Sequence, residues 1–346
     1  MTPLSLAAQQ SICLVPRLNG LGGMVSFQAR LVEGLIKRGI RVNYDLDDPA
    51  NQAVLVIGGT RHLAALSGAR RRGVRIVQRL NGMNWLHRKQ KTSLRHYLRA
   101  EGNNLLLAII RRWIAQRIVY QSQFSRQWWQ RVHGPIQIPD NVVYNGVDLS
   151  LFSPGGPEQP PRDRYRLLLV EGHLSGDYSQ GLENAVQLTE LLQGRFHQPV
   201  ELVVAGNVPA SLKVRYQPRA GGAITWLGVV PREQIPAIDR AAHLLFSADL
   251  NAACPNAVIE ALACGLPVVS FDTGALGELL QNDAGRVAPY GGNYWELQAP
   301  IMAPLAEAAA EILANHPHFR QAARARAEAA FGLDGMVEQY LDALLC

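Results

Sequence analysis

The sequence predicts an α/β fold of two Rossmann-like domains, each a doubly wound parallel sheet, facing each other across a central cleft. Three observations lead there. The chain has 346 residues, more than one hydrophobic core usually fills, so two domains are expected. Short apolar runs alternate with helical patterns through both halves, as parallel sheets require. Between Ser153 and Pro161 lies a cluster of proline and glycine, which builds neither a helix nor a central strand and so marks a linker. The expected units are residues 1–152, a linker at 153–163, a second domain at 164–315 and terminal helices at 316–346.

In the first half, Ser11–Val15 reads as a strand, Asn19–Gly23 as a glycine loop and Met24–Arg38 as a helix. Strand, glycine loop and helix let backbone N–H groups approach a phosphate, which makes Gly22 and Gly23 candidate ligand contacts. The spacing is not a dinucleotide fingerprint, because Val25 stands where its third glycine would be. A tight turn needing positive φ accounts for the same glycines. Arg41–Tyr44 and Ala53–Ile57 read as strands, Arg61–Arg72 as a helix and Val74–Gln78 as the next strand. That strand runs into Arg79-Leu80-Asn81-Gly82 at its C-terminal edge, where open α/β sheets bind ligands, so Arg79 and Asn81 are expected to face the cleft. Leu105–Gln116 reads as a helix and Ile118–Tyr120 as a strand. A helix capped by Ser122 follows, and the strand Val142–Tyr144 ends this half.

The second half repeats the alternation. Leu167–Val170, Val200–Val204, Ile224–Leu227, Leu244–Phe246, Val268–Phe271 and Gly285–Ala288 read as strands. Leu182–Leu192 and Arg232–Ala242 read as helices, and the chain is helical from Pro304 onward. The stretch Cys254–Val269 organises this half. Pro255 and Asn256 start a helix, with Asn256 as its cap. Ala257–Ala263 propagates it, Gly265 stops it and Pro267 leads into a strand. The helix start offers partly positive N–H groups, a ready anion site. Glu260 sits one turn further in. A carboxylate close behind an anion site suits a ligand carrying both phosphate and sugar hydroxyls. The alternative is a solvated helix residue.

Composition narrows the class. Hydrophobic residues make 48% and charged residues 18% of the chain, ordinary for a globular protein. No apolar run reaches the roughly 18 residues of a membrane span, and Met1–Leu4 lacks the basic and apolar regions of a signal peptide. The cysteines (Cys13, Cys254, Cys264, Cys346) form no C-x-x-C pair, so a reduced, cytoplasmic protein without a zinc site is expected. No Ser-His-Asp set, metal-ligand cluster or P-loop stands out. Charge is uneven: residues 1–150 carry 21 Lys+Arg against 7 Asp+Glu, a net +14, and the rest carries 13 against 21, a net −8. An anionic partner for the first half is implied, either lipid headgroups or nucleic acid. No nucleic-acid-binding motif accompanies the charge. Arg88, Lys89, Lys91, Arg95 and Arg99 fall within twelve residues, near Trp85, Tyr97 and Trp113. They form either a solvated helix face or a surface that lies on anionic lipid with the aromatics as anchors.

Several motifs together resemble a family 4 glycosyltransferase of the GT-B fold. Val143-Tyr144-Asn145-Gly146-Val147-Asp148 with Phe152 and Pro154 is similar to that family's domain junction. Ile224–Gly228 with Pro231-Arg232-Glu233 is similar to its strand and turn beside the nucleotide base. Cys254–Val269 is similar to its E-x7-E motif, and Thr273–Glu278 to its glycine-rich turn. The resemblance implies retaining transfer of a sugar from a nucleotide sugar, such as a UDP- or GDP-sugar, to a glycan or lipid-linked acceptor, with no metal or other cofactor. It implies a role in cell-surface polysaccharide or glycolipid synthesis. It places the enzyme in the cytoplasm or peripherally on the inner face of the plasma membrane, and the terminal helices back on the first domain. Glu260 would bond the ribose hydroxyls, Val229 would lie against the base, and Pro255, Asn256 and Ala257 would face the phosphates or donor sugar. Gly22 and Gly23 would approach the diphosphate, and Asn81 and Arg79 the acceptor.

Three departures bear on the chemistry. Ala252 stands eight residues before Glu260, where the family has an acid that contacts the donor sugar. His173 and Gln180 stand where the family tends to place Arg and Lys against the leaving diphosphate. His173, Gln180 and Asn81 are therefore the candidate catalytic residues. Gln180 brings hydrogen bonds without charge, and His173 brings charge only when protonated. Loss of a preorganised donor to developing charge costs roughly 2.7–4 kcal/mol. The departures set a second expectation beside the first, a non-catalytic nucleotide-sugar-binding protein.

Overall fold

The structure, a computed structural model, describes residues 10–20, 22–174, 179–219 and 224–346, with His173 and Ser179 described in backbone alone. The expectation for Met1–Leu4 lies outside the described residues. The chain divides into two compact units, one running up to Gly146 and joined by Leu333–Cys346, the other Val147–Gly332.

In chain order the first unit contains β1 (Ser11–Val15), α1 (Gly23–Lys37), β2 (Arg41–Asn43), β3 (Asn51–Ile57), α2 (Leu63–Arg71), β4 (Arg75–Leu80), α3 (Leu94–Ile109), β5 (Arg117–Tyr120), α4 (Gln123–His133) and β6 (Asp140–Val142). The strands pair in parallel in the order β2-β1-β3-β4-β5-β6. Central strands are apolar on both faces, as a sheet covered on both sides demands. Alternation within β1 and β3 sends Ile12, Leu14 and Leu55 to one core and Cys13, Val15, Val54 and Val56 to the other. The cap at Ser122 is present, its Oγ accepting from Ser125 N at 3.1 Å. The basic stretch and the helix expected at Leu105 are largely one helix, because α3 starts eleven residues earlier, at Leu94, capped by Ser93, which accepts from His96 N. A π-helical turn at Ile110–Ile114 extends it.

The second unit contains β7 (Tyr165–His173), α5 (Ser179–Gln193), β8 (Val200–Asn207), α6 (Ala210–Tyr216), β9 (Ile224–Gly228), α7 (Ile235–Arg240), β10 (Leu244–Ser247), α8 (Asn256–Ala263), β11 (Val268–Phe271), α9 (Leu276–Leu279), β12 (Gly285–Ala288), α10 (Met302–Ala314) and α11 (His316–Ala330). Its parallel sheet runs β12-β11-β10-β7-β8-β9. Two details differ from expectation. Asn256 does not cap α8: extended Pro255 holds the cap position and Asn256 is the first helical residue, with no side-chain cap. Helix α11 belongs to the second unit, since Phe319 enters its core and Arg324 donates to the carbonyls of Phe152 and Ala263. Gly265, at φ 68°, ends α8 as its sequence position implies.

Only the last helix, α12 (Leu333–Leu345), joins the first unit. It lies so close to α1 that a Cβ at Gly34 would collide with Val337. Phe27 and Tyr340 pack with ring centroids 5.2 Å apart, and Arg38 pairs with both Asp334 and Glu338.

Candidate functional site

A doubly wound sheet reverses direction at one point, and ligands bind beyond the strand ends there. In the first unit that point lies between β1 and β3. A cavity of about 670 Å³ opens at it. Pro16 and Leu18 after β1, Met24 of α1 and Leu106 and Leu107 of α3 give it apolar walls. Thr60, Asn81, Asn84 and Asn103 add hydrogen-bonding groups, and Arg61 and Arg99 add cations. Asn81 is fixed from behind: its carbonyl accepts from Trp129 Nε1 at 2.7 Å and Ser125 Oγ at 3.0 Å. Arg79 does not join it. Its side chain is buried in the first unit, the guanidinium 3.7 Å from the Phe27 ring centroid and donating to Asn145 Oδ1 at 2.9 Å. The strand extends to Leu80, so alternation turns Arg79 into the core. Gly22, at φ 122°, holds a backbone conformation that glycine favours, and α1 begins at Gly23.

The second unit reverses between β7 and β10, and its strand ends gather most of the remaining candidates. Gly181 at the start of α5 brings that helix onto the loop after β10, where an added Cβ would stand 2.8 Å from Ala248 Cβ. Gly274 does the same after β11, where a Cβ would meet Ala252 N and O at 2.6 Å, and Ala275 N donates to Ala252 O at 2.8 Å. Ala252, Pro255, Asn256, Ala257, Glu260 and Gln180 thus share one edge of one unit. Gln180 is exposed, its amide donating to Asn184 Oδ1 at 2.9 Å. The His173 side chain lies outside the described residues. Val229 is 58% exposed just past β9, two strands from the reversal. Gly22, Gly23 and Asn81 belong to the first unit, so the second gathers none of them.

Glu260 is 8% exposed, on α8. Behind it Asp239 is buried. Burial, then the Glu260 charge, push the Asp239 carboxyl well above the usual carboxylate range, against a hydrogen bond with Cys264. At the end of β7, burial and then the facing Asp249 likewise raise the Glu171 carboxyl, and burial raises Asp249. Where the resemblance implied cations, the described residues place two half-buried acids whose carboxyls are raised above the usual range. Sequence reading missed Asp249 because it lies three residues from the position the motif assigns to an acid. It also missed Asn251 and Thr273, which are buried beside Gly274. No group of three His, Cys, Asp or Glu among the described residues is placed to hold a metal, and no described helix is long and apolar enough to cross a membrane.

Comparison with known proteins fits this geometry. Residues 166–315 match the family model of glycosyl transferases group 1. Over 145 residues the chain is 25% identical to one component of the phosphatidylinositol N-acetylglucosaminyltransferase of Arabidopsis thaliana, a match covering 41% of this chain and 31% of that protein. Among solved structures, HepE of Anabaena in complex with UDP and glucose superimposes with a TM-score of 0.72 at 14% identity, covering 97% of this chain and 99% of that one. Sucrose-phosphate synthase of Thermosynechococcus elongatus gives 0.70 at 15%, covering 96% and 98%. WaaG, a glycosyltransferase involved in lipopolysaccharide biosynthesis, gives 0.68 at 15%, covering 96% and 99%. The chain has the GT-B fold, and its residues 166–315 are similar to the glycosyl transferases group 1 family.

Proposed function

We propose that the protein is a retaining glycosyltransferase that moves a hexosyl group from a UDP- or GDP-sugar to a glycan or lipid-linked acceptor, without a metal, at the cytoplasmic face of a membrane. The observation that carries this reading is Glu260, a buried carboxylate one turn inside a helix whose first turn holds no acid and no side-chain cap. The N–H groups of that turn are suited to a phosphate, and the carboxylate behind them to ribose hydroxyls. Support also comes from the UDP and glucose bound to HepE and from the family match over this domain.

In this reading the second unit holds the donor and the first unit's cavity holds the acceptor. Exposed Val229 gives the base an apolar contact. The starts of α5 and α8 offset the diphosphate charge that grows as the sugar leaves. Gln180 donates to it on turning from Asn184. Because their carboxyls are raised, Glu171 and Asp249 oppose that charge less than two ordinary carboxylates would. The acceptor's hydroxyl proton passes to the departing phosphate on the same face, so no separate base is needed.

Helix α3 supports the membrane part. Leu94, Leu98, Leu105 and Trp113 are 74%, 61%, 61% and 67% exposed along it and its π-helical extension. Arg95 and Arg99 are exposed beside them, whereas Arg88 is held bidentately by Glu101. Exposed leucines interleaved with cations suit an interface with anionic lipid.

The test is NMR of the sugar first released when the protein hydrolyses a panel of α-linked UDP- and GDP-sugars. Retention gives the α anomer. A β anomer, or no release from any donor, contradicts the proposal.

A further inference from the structure

We propose that Asn251 and Thr273 read the hydroxyls of the donor sugar, supplying the contact that Ala252 cannot make. The inference rests on the donor reading above and names the residues that select the sugar.

Both side chains are at least nine-tenths buried, Asn251 being 4% and Thr273 3% exposed. Neither finds a hydrogen-bond partner among the described residues. The amide oxygen and nitrogen of Asn251 and the hydroxyl of Thr273 are all unsatisfied. Buried polar atoms are nearly always paired, and an unpaired one weakens the fold. Asn251 also holds a left-handed backbone, φ 58°, an arrangement that asparagine tolerates and that concentrates at ligand sites. These costs fall on two turns made to lie together. Gly274 has no room for a Cβ, which would stand 2.8 Å from Asn251 C. The turns follow β10 and β11, neighbours in the sheet, and α8 begins five residues after Asn251.

The unsatisfied groups indicate the ligand's chemistry. The amide offers a donor and an acceptor, and the hydroxyl offers both. An anion would use donors only and leave the Asn251 amide oxygen unpaired. A cation would use acceptors only. Neighbouring hydroxyls of a hexose both donate and accept, so a neutral sugar uses all three groups. Its position beside the start of α8 places that sugar where a diphosphate on the helix would deliver it.

The test compares a bare nucleotide with its sugar conjugate. UDP, GDP, UDP-glucose, UDP-N-acetylglucosamine and GDP-mannose are titrated calorimetrically into wild type, Asn251→Gly and Thr273→Val. Glycine keeps the left-handed turn and removes the amide; valine keeps the shape and removes the hydroxyl. The proposal expects each variant to bind the bare nucleotide within twofold of wild type and the preferred sugar conjugate at least tenfold more weakly. It expects a thermal midpoint for Asn251→Gly no lower than wild type. Equal loss for nucleotide and conjugate, or no loss for either, overturns the assignment while leaving the donor reading standing. Absence of any nucleotide binding by wild type overturns the donor reading and this inference with it.

Discussion

Lowering the pH from 7.5 to 5.5 should destabilise the second unit through two facing histidines. His243 and His316 pack with ring centroids 5.1 Å apart. His243 Nδ1 accepts from the Arg166 backbone N–H at 3.0 Å, and His316 Nε2 donates to the His243 carbonyl at 2.9 Å. The first bond needs a neutral imidazole at His243, and two charged rings at this distance would repel. Burial, then the His316 and Arg320 charges, lower His243 from 6.5 to about 4. Burial and Arg320 bring His316 to about 4, against its backbone bond. Because the folded values lie below the unfolded one, the stabilisation is complete above pH 6.5 and is lost as pH falls toward 4. At pH 5.5 the unfolded imidazoles are mostly charged and the folded ones mostly neutral, so each histidine removes about 1.4 kcal/mol relative to pH 7.5, or about 3 kcal/mol for the pair. Urea midpoints followed by far-UV circular dichroism at both pH values measure it. His316→Gln keeps a donor for the carbonyl and removes one titration, so its loss should be smaller by about 1.4 kcal/mol. Equal losses in wild type and variant would refute the reasoning, since groups common to both cancel.

Arg79→Met should lower the stability of the first unit by about 2 kcal/mol, from the lost bond to Asn145 and the lost cation–π contact with Phe27; an unchanged urea midpoint contradicts that structural role. Gly34→Ala should press α12 away from α1 at a cost of about 1–3 kcal/mol, read as faster hydrogen exchange over 333–346, whereas unaltered exchange would mean that the close approach is not needed. Sedimentation with vesicles of phosphatidylglycerol and phosphatidylcholine tests the α3 surface. Arg95→Glu with Arg99→Glu should weaken binding at least tenfold, at about 1 kcal/mol per cation, and high salt should weaken the wild type. Salt-independent binding, or none, removes the membrane from the account.

The repeated alternation of apolar strands and amphipathic helices carried the fold, because a parallel sheet buried on both faces must be written as continuous apolar runs, such as Val54–Ile57. What periodicity does not encode is a side chain's destination near an element's end. Arg79 reads as a cleft residue if its strand stops at Gln78; two more residues of strand turn it inward. The segment 210–216 carries too few residues for a helical period to stand out, because α6 is short. Glu260 is visible through its position in a long motif, which constrains many residues at once. Asp249, Asn251 and Thr273 are not, because their significance comes from packing between turns 22 residues apart in sequence, from Asn251 to Thr273, and, for Asn251 and Thr273, from partners that they lack. The departure at Ala252 is visible as a loss; only the folded chain shows the polar groups beside it.

The central claim is that the edge beside α8 binds a nucleotide sugar through Glu260. Calorimetric titration of UDP, GDP and their hexose conjugates into wild type and Glu260→Ala tests it most directly. Wild type should bind one nucleotide at micromolar level and the variant at least tenfold more weakly, about 1.4 kcal/mol, with the thermal midpoint retained. Equal affinity in the two proteins, or no nucleotide bound by the wild type, would contradict it.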